Sequence, residues 1–162
     1  MMTLRCTQRL LTRLPATAAA ESTAPTTLLG DWYAAPLFIG PARLVLCASE
    51  RSLLPVILPL KPAVSLAARL PDALVETLQA LGIPDTVIDR ERAAMTPCQV
   101  GRTTNRAVLG TVVDLVWHAR AIVADGGTLD LPTLRFHLWE MPCSILKYDA
   151  PGRRTRALLG AA

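Results

Sequence analysis

Hydrophobic residues in this chain follow two different periods, and the places where the period changes mark its elements. The opening Met2–Cys6, MTLRC, is a short β-type run, and in the TQRLLTRL that follows Leu10, Leu11 and Leu14 share one helical face. Two further β-type runs, Leu44–Ala48 and Leu54–Leu58, flank the polar Ser49-Glu50-Arg51-Ser52 and predict a hairpin. Pro55 and Pro59 lack the N–H that a ladder needs, so the second of these strands is short or lies on an edge. The stretch TTLLGDWYAAPLFIG is ambiguous. Pro36 and Gly40 restrict any helix there to a turn or two ending near Tyr33 to Ala35. Before it, PATAAAESTAP reads as a small-residue loop.

The middle of the chain turns helical. Leu74, Val75, Leu78 and Leu81 form one stripe, Gly82 supplies a left-handed end, and Ile83 is placed to touch Leu78. A second helix turns Val87, Ile88 and Met95 inward and Asp89, Arg90, Glu91 and Arg92 largely toward solvent. Pro71-Asp72 and Pro84-Asp85 each fit a first helical turn, where a missing N–H costs little and a carboxylate suits the dipole. TPCQVGRT then reads as a strand, and LPTLRFHLWEMP as a last helix with Asp130 as its cap, stopping before Pro142. RRTRALLGAA, at the end, continues weakly or frays.

The longest periodic segment runs from Arg106 to Asp125. At about 100° per residue, Val108, Leu109, Val112, Leu115, Val116, Ala119, Ile122 and Val123 fall on one broad arc. Arg106, Gly110, Thr111, Asp114, His118, Arg120 and Asp125 lie opposite. Val113 and Trp117 break the pattern, one turn apart among polar positions, so a second side of this helix is expected to be covered by another helix or a partner. The polar prelude offers Thr104 or Asn105 as an N-cap. The first-turn N–H groups, with Arg102 and Arg106 beside them, predict a local anion-binding corner.

Composition narrows the class. A chain of 162 residues, 51% hydrophobic and 19% charged, fits one packed domain spanning residues 1–162 rather than disorder. Aromatics make up only 4%, so the core must be built from Leu, Val, Ile and Ala. The net charge of +4 is carried by arginine, with Arg5, Arg9 and Arg13 toward one end and Arg153, Arg154 and Arg156 toward the other. Basic ends suit phosphate or acidic partners as well as plain solvation. Cys6, Cys47, Cys98 and Cys143 stand far apart with no Cys-x-x-Cys or Cys/His cluster, and read as core thiols in a reducing compartment. Neither a metal nor a cofactor is expected. Arg9 and Arg13 interrupt any apolar signal region, and the longest charge-free run, WYAAPLFIGPA, is too short to span a bilayer. The expected location is cytoplasmic.

Chemistry-bearing motifs are few. Phosphate-loop, dinucleotide and His-Glu-x-x-His patterns are missing from the sequence. Asp114 and His118, four apart, can pair as carboxylate and imidazole; with Arg106 they form the enzymatic alternative, hydrolytic or nucleic-acid-processing. An exposed i, i+4 pair is the simpler reading. Asp31 and Trp32, within Gly30-Asp31-Trp32-Tyr33, place an acid beside rings of the kind that anchor interfaces or fill cores. The segments LRCTQRLL, TTLLGDWYA, LVLCASERSLLPVILP, TTNRAVLGTVVDL and EMPCSILKY together resemble a family of uncharacterised bacterial domains of unknown function. In that resemblance members carry Lys-Thr-x-Asn-Arg-Ser-Val-Leu-Gly followed by Asn-Asp. Arg102, Thr103, Asn105, Arg106, Val108, Leu109, Gly110 and Asp114 match or nearly match, Ala107 stands for Ser, and Val113 for Asn. The resemblance implies no particular activity.

These readings predict a single α+β domain, a small and largely antiparallel sheet covered by about four or five helices, with the Arg106 helix near its centre. The expected function is a non-enzymatic binding or regulatory module for a protein or nucleic-acid partner. Its candidate contacts are Arg102, Thr104, Asn105, Arg106, Asp31 and Trp32, with no catalytic residue.

Overall fold

Trp32 and Tyr33 are neighbours in sequence and point to opposite faces of one sheet, and that alternation divides the molecule. The computed structural model describes residues 1–15, 18–19 and 24–160. Its strands are β1 (Met2–Cys6), β2 (Trp32–Ile39), β3 (Ala42–Ser49), β4 (Pro55–Pro59) and β5 (Cys98–Arg102), in the order β4-β3-β2-β1-β5. The sheet is mixed. An antiparallel meander β2-β3-β4 forms its larger part, and β1 runs parallel to both β2 and β5. The helices are α1 (Gln8–Leu11), α2 (Leu66–Ala80), α3 (Asp85–Ala94), α4 (Arg106–Gly126), α5 (Leu131–Trp139) and α6 (Pro151–Leu158). On the Trp32 face, Met2, Leu4 and Cys6 pack with Leu70, Leu74 and Leu78 of α2 and Ile88 of α3. On the Tyr33 face, Leu37, Leu44 and Leu46 pack with Val108, Val112 and Leu115 of α4 and Leu134 and Leu138 of α5. The α+β class holds, and α4 lies across β2, the middle strand. Part of the PATAAAESTAP segment, residues 16–17 and 20–23, lies outside the described residues.

The edge position of β4 follows from its two prolines. The structure differs from expectation at β2, where Trp32–Ile39 is a strand and not a turn of helix. Both faces of this strand are buried, so its apolar run is continuous and carries no alternation. Pro36 is tolerated because β1 pairs only with Trp32 to Ala34; beyond Ala34 that side of β2 is a local edge with no ladder partner for a proline to miss.

Helix α2 starts at Leu66, so Pro71 lies inside it rather than in its first turn. An interior proline costs about 3 kcal/mol. Extending the stripe back to Leu66 and Leu70, both essentially inaccessible, returns about 1.5–3 kcal/mol for each leucine. Burial wins. At its far end Gly82 takes a left-handed φ of 79°, and the Ile83 N–H donates to the Leu78 carbonyl as the stripe requires. Helix α6 also departs from expectation. It does not fray, because Pro151, Gly152 and Thr155 are buried and the Thr155 hydroxyl hydrogen-bonds the Ser52 hydroxyl at 2.9 Å.

Glu91 reverses its expected position. It is 2% exposed, and its carboxylate clamps two successive backbone donors, Leu28 N–H and Leu29 N–H, each at 3.0 Å. Two other carboxylates hold the same loop. Glu50 accepts from the Asp31 N–H at 2.9 Å. Asp31 in turn accepts from the Thr3 N–H of β1 at 2.9 Å and pairs with the Arg5 guanidinium at 3.1 Å. Gly30 is required at this point: its φ is 81°, and a Cβ would lie 2.6 Å from the Glu50 side chain. The loop between β1 and β2 is therefore fixed to β1, β3 and α3 by charged acceptors. Glu91→Ala leaves one buried and one part-buried donor without their acceptor and should lower the unfolding free energy by about 2–5 kcal/mol, and Asp31→Ala, which takes the carboxylate from a buried guanidinium, by about 3–5 kcal/mol. Urea denaturation with an unchanged slope measures both; a loss under about 1 kcal/mol for either contradicts the clamp.

Candidate functional site

The start of α4 is built as its sequence implies. Asn105 takes an extended backbone, and its side-chain oxygen accepts from the Ala107 N–H at 3.0 Å and the Val108 N–H at 3.1 Å. Tyr33 reaches up from the sheet to hold this collar: its hydroxyl accepts from the Asn105 N–H at 3.0 Å and shares a hydrogen bond with the Thr104 hydroxyl at 3.3 Å. The bare-amide anion corner is thereby revised. Asn105 itself occupies two of the first-turn donors, so any attraction for anions must come from side chains. Those side chains are present. Arg102 and Arg106 are exposed and make no ion pair or hydrogen bond from their guanidinium groups among the described residues.

Asp31 and Trp32 belong elsewhere. Asp31 is 2% exposed in its pair with Arg5, and Trp32 is wholly inside the core, where its indole N–H has no acceptor among the described residues. Neither presents a surface, and neither joins the Arg102 to Arg106 corner at the protein's exterior. Asp114 and His118 do share a cavity of about 220 Å³, with Thr111, Cys143, Ser144 and Tyr148. No hydrogen bond joins the two among the described residues, and Arg106 does not line the cavity. The three groups of the enzymatic alternative do not converge.

What converges instead runs along another line of α4. Arg106, Gly110, Val113, Trp117 and Arg120 recur at steps of three and four residues, so they fall within an arc of about 80° around the helix axis. Trp117 is 74% exposed and Val113 44%. The second apolar side predicted for this helix is thus uncovered. Beside it lies a groove of about 240 Å³, walled by Ala35 and Pro36 of β2 where that strand has outrun β1, and rimmed by Arg9 and Arg120. By length and composition α4 is the one described helix apolar enough to cross a bilayer. Its buried line, Val108, Val112, Leu115 and Ala119, is committed to the sheet.

Arg9 also links the groove to a cationic cluster. The guanidinium carbons of Arg9, Arg13 and Arg43 lie 5.4, 4.9 and 4.7 Å from the centre of the Phe38 ring. None has a carboxylate partner among the described residues; Arg43 donates only to the carbonyls of Gly40 and Ala42. Each cation–ring attraction is worth about 0.5–1 kcal/mol at an exposed site. Any two of the charges are within roughly 10 Å of each other, a spacing at which each pair repels by about 0.4 kcal/mol in water and more against protein. The cluster is near balance and gains by acquiring a counter-charge. Reading β2 as a strand would have revealed part of it, because Phe38 and Arg43 are directly paired across the β2–β3 hairpin. The approach of Arg9 and Arg13 has no such local signal.

The four thiols are a poor basis for chemistry. Burial pushes Cys6 up to about 12, with Cys98 nearby adding to the effect, and pushes Cys98 itself up to about 11. Cys47 is raised well above its usual range by burial and by those two neighbours, and Cys143 is raised by burial and then by Asp114. Nucleophilic catalysis needs the opposite shift.

Residues 3–154 match the family described as Domain of unknown function (DUF6933). The chain belongs to the DUF6933 family. No curated protein and no solved structure matches it. The match takes in β1 from Thr3 onward, β2 to β5 and all of α1 to α5, and so includes the collar, the groove and the cationic cluster of this DUF6933 domain.

Two outcomes are expected. Asn105→Ala removes the cap and should lower stability by about 1 kcal/mol in urea denaturation, with Asn105→Ser retaining most of it; no loss would mean the collar is held by Tyr33 alone. The thiols add a pH dependence. An unfolded Cys6 loses its proton near 9.0 and the folded one only near 12, so its contribution is fully present below pH 9 and lost as pH rises through that window. The melting temperature should therefore fall more steeply from about pH 9 to 11 in the wild type than in Cys6→Ala. Parallel curves would contradict the assignment.

Proposed function

We propose that this DUF6933 domain is a non-enzymatic binding module that engages an anionic partner along the exposed flank of α4, from the Arg102–Arg106 collar to Trp117 and Arg120. The observation that carries the reading is that Arg9 and Arg120, which border an uncovered tryptophan, and Arg102 and Arg106 at the start of the same helix have no acidic partner among the described residues. Elsewhere Arg5, Arg92, Arg135, Arg153 and Arg154 have carboxylates and Arg69 and Arg156 hold carbonyls, while Arg90 of α3 stands exposed and apart from any uncovered ring. Topology supports the same place. After β1 the chain leaves toward the Trp32 face, where Leu10 of α1 is buried, and after the adjacent parallel strand β5 it leaves toward the Tyr33 face as α4. In open sheets a crevice at the carboxyl ends of strands whose connections part in this way is the usual ligand position.

Retention on an immobilised polyanion such as heparin tests the reading. Reversing Arg102 and Arg106 to Glu, or Arg9 and Arg120 to Glu, should move elution to clearly lower salt than reversing Arg90 and Arg153, which changes net charge equally on other elements. Equal shifts for the three double variants, with melting temperatures unchanged, would remove the flank as the contact surface.

A further inference from the structure

We infer, resting on the binding-module reading, that the partner is single-stranded nucleic acid, with a base stacked on Trp117 and the phosphates of its strand held by Arg120, Arg9, Arg13 and Arg43. Three observations combine. Trp117 offers its indole to solvent at 74% exposure, and no ring of the chain stacks on it among the described residues. The groove at its foot, about 240 Å³ between Val113, Val116, Ala35 and Pro36, is apolar-walled and adjoins the indole. Arg9 and Arg120 flank that ring position, and Arg9 continues into the cluster around Phe38.

Alternating aromatic and cationic surface matches the alternation of base and phosphate along a strand, and guanidinium groups engage phosphate oxygens through two parallel hydrogen bonds. An acidic peptide would answer the arginines but leave the tryptophan face and the groove unfilled. A duplex keeps its bases inside the stack, where Trp117 cannot reach them, so the arrangement favours a strand with its bases free.

Fluorescence polarisation of labelled oligothymidylate and oligouridylate of roughly twelve nucleotides, across a salt series, tests the assignment on the full chain. Binding should weaken steeply with salt. Trp117→Ala should cost about five- to hundredfold in affinity with the salt slope unchanged, Trp117→Phe should retain most of the affinity, and Arg120→Ala should reduce the slope by about 0.7, the share of one phosphate contact. A duplex of the same length should bind at least tenfold more weakly. Failure to bind either oligonucleotide at low salt, while the flank variants still elute early from the polyanion, overturns the nucleic-acid assignment and leaves the binding module standing. Equal affinity for duplex, or for polyglutamate with no effect of Trp117→Ala, overturns it in the same way. Loss of the polyanion result itself removes both.

Discussion

Three carboxylates gripping one loop set the position of everything else in this molecule. Glu91 holds the N–H groups of Leu28 and Leu29, Glu50 holds that of Asp31, and Asp31 binds β1 through the Thr3 N–H and the Arg5 side chain. Each acceptor is charged and most are screened from water, where such hydrogen bonds are stronger than neutral ones and costly to break. The loop leads directly into β2. Fixing it sets the register of β2 against β1, with Leu4 opposite Trp32, and against β3, with Trp32 opposite Ser49. Register in turn decides that Trp32 fills one core and Tyr33 faces the other, since a slip of one residue would exchange them.

The candidate binding flank is a consequence of that register. Tyr33 on the α4 face meets the collar, so the same strand that carries the carboxylate-held loop also fixes where α4 begins. Because β1 stops at Cys6 while β2 runs on to Ile39, the second half of β2 is unaccompanied on one side, and the groove under Trp117 lies there. Among the described residues the arginines that border it, Arg9 and Arg120, have no acidic partner, while Glu50, Glu91 and Asp31 are occupied in holding the loop. Stability and recognition are thus assigned to different charges. The buried ones hold the fold, and the exposed ones remain available.

Much of the framework was legible in the sequence. The hairpin Leu44–Leu58, the edge strand with its prolines, the Gly82 helix end and the Asn105 cap all follow from local chemistry, and all appear in the structure. Misreadings occurred where tertiary burial overrode a local rule. A strand buried on both faces has no alternation, so β2 was ambiguous; Pro71 sits inside α2 because two leucines compensate for it; Glu91 looked solvated because its polar partners are backbone groups from a loop far away in sequence. At the site, the collar and Arg106 could be read, whereas Asp31 and Trp32 could not be told from core residues. Trp117 was visible as a break in the helical pattern. The groove it shares with Arg9, and the gathering of Arg9, Arg13 and Arg43 around Phe38, depend on long-range contacts that no single segment encodes.

The measurement that tests this account most directly is native-state hydrogen exchange at the amides of Thr3, Leu28, Leu29 and Asp31. If the loop is an internal fixture clamped by carboxylates, these amides open only with the whole fold, and their protection matches the slowest amides of β1 and β2. Exchange at rates near those of an unstructured surface loop, with β1 and β2 still protected, would show that the sheet holds its register without the clamp.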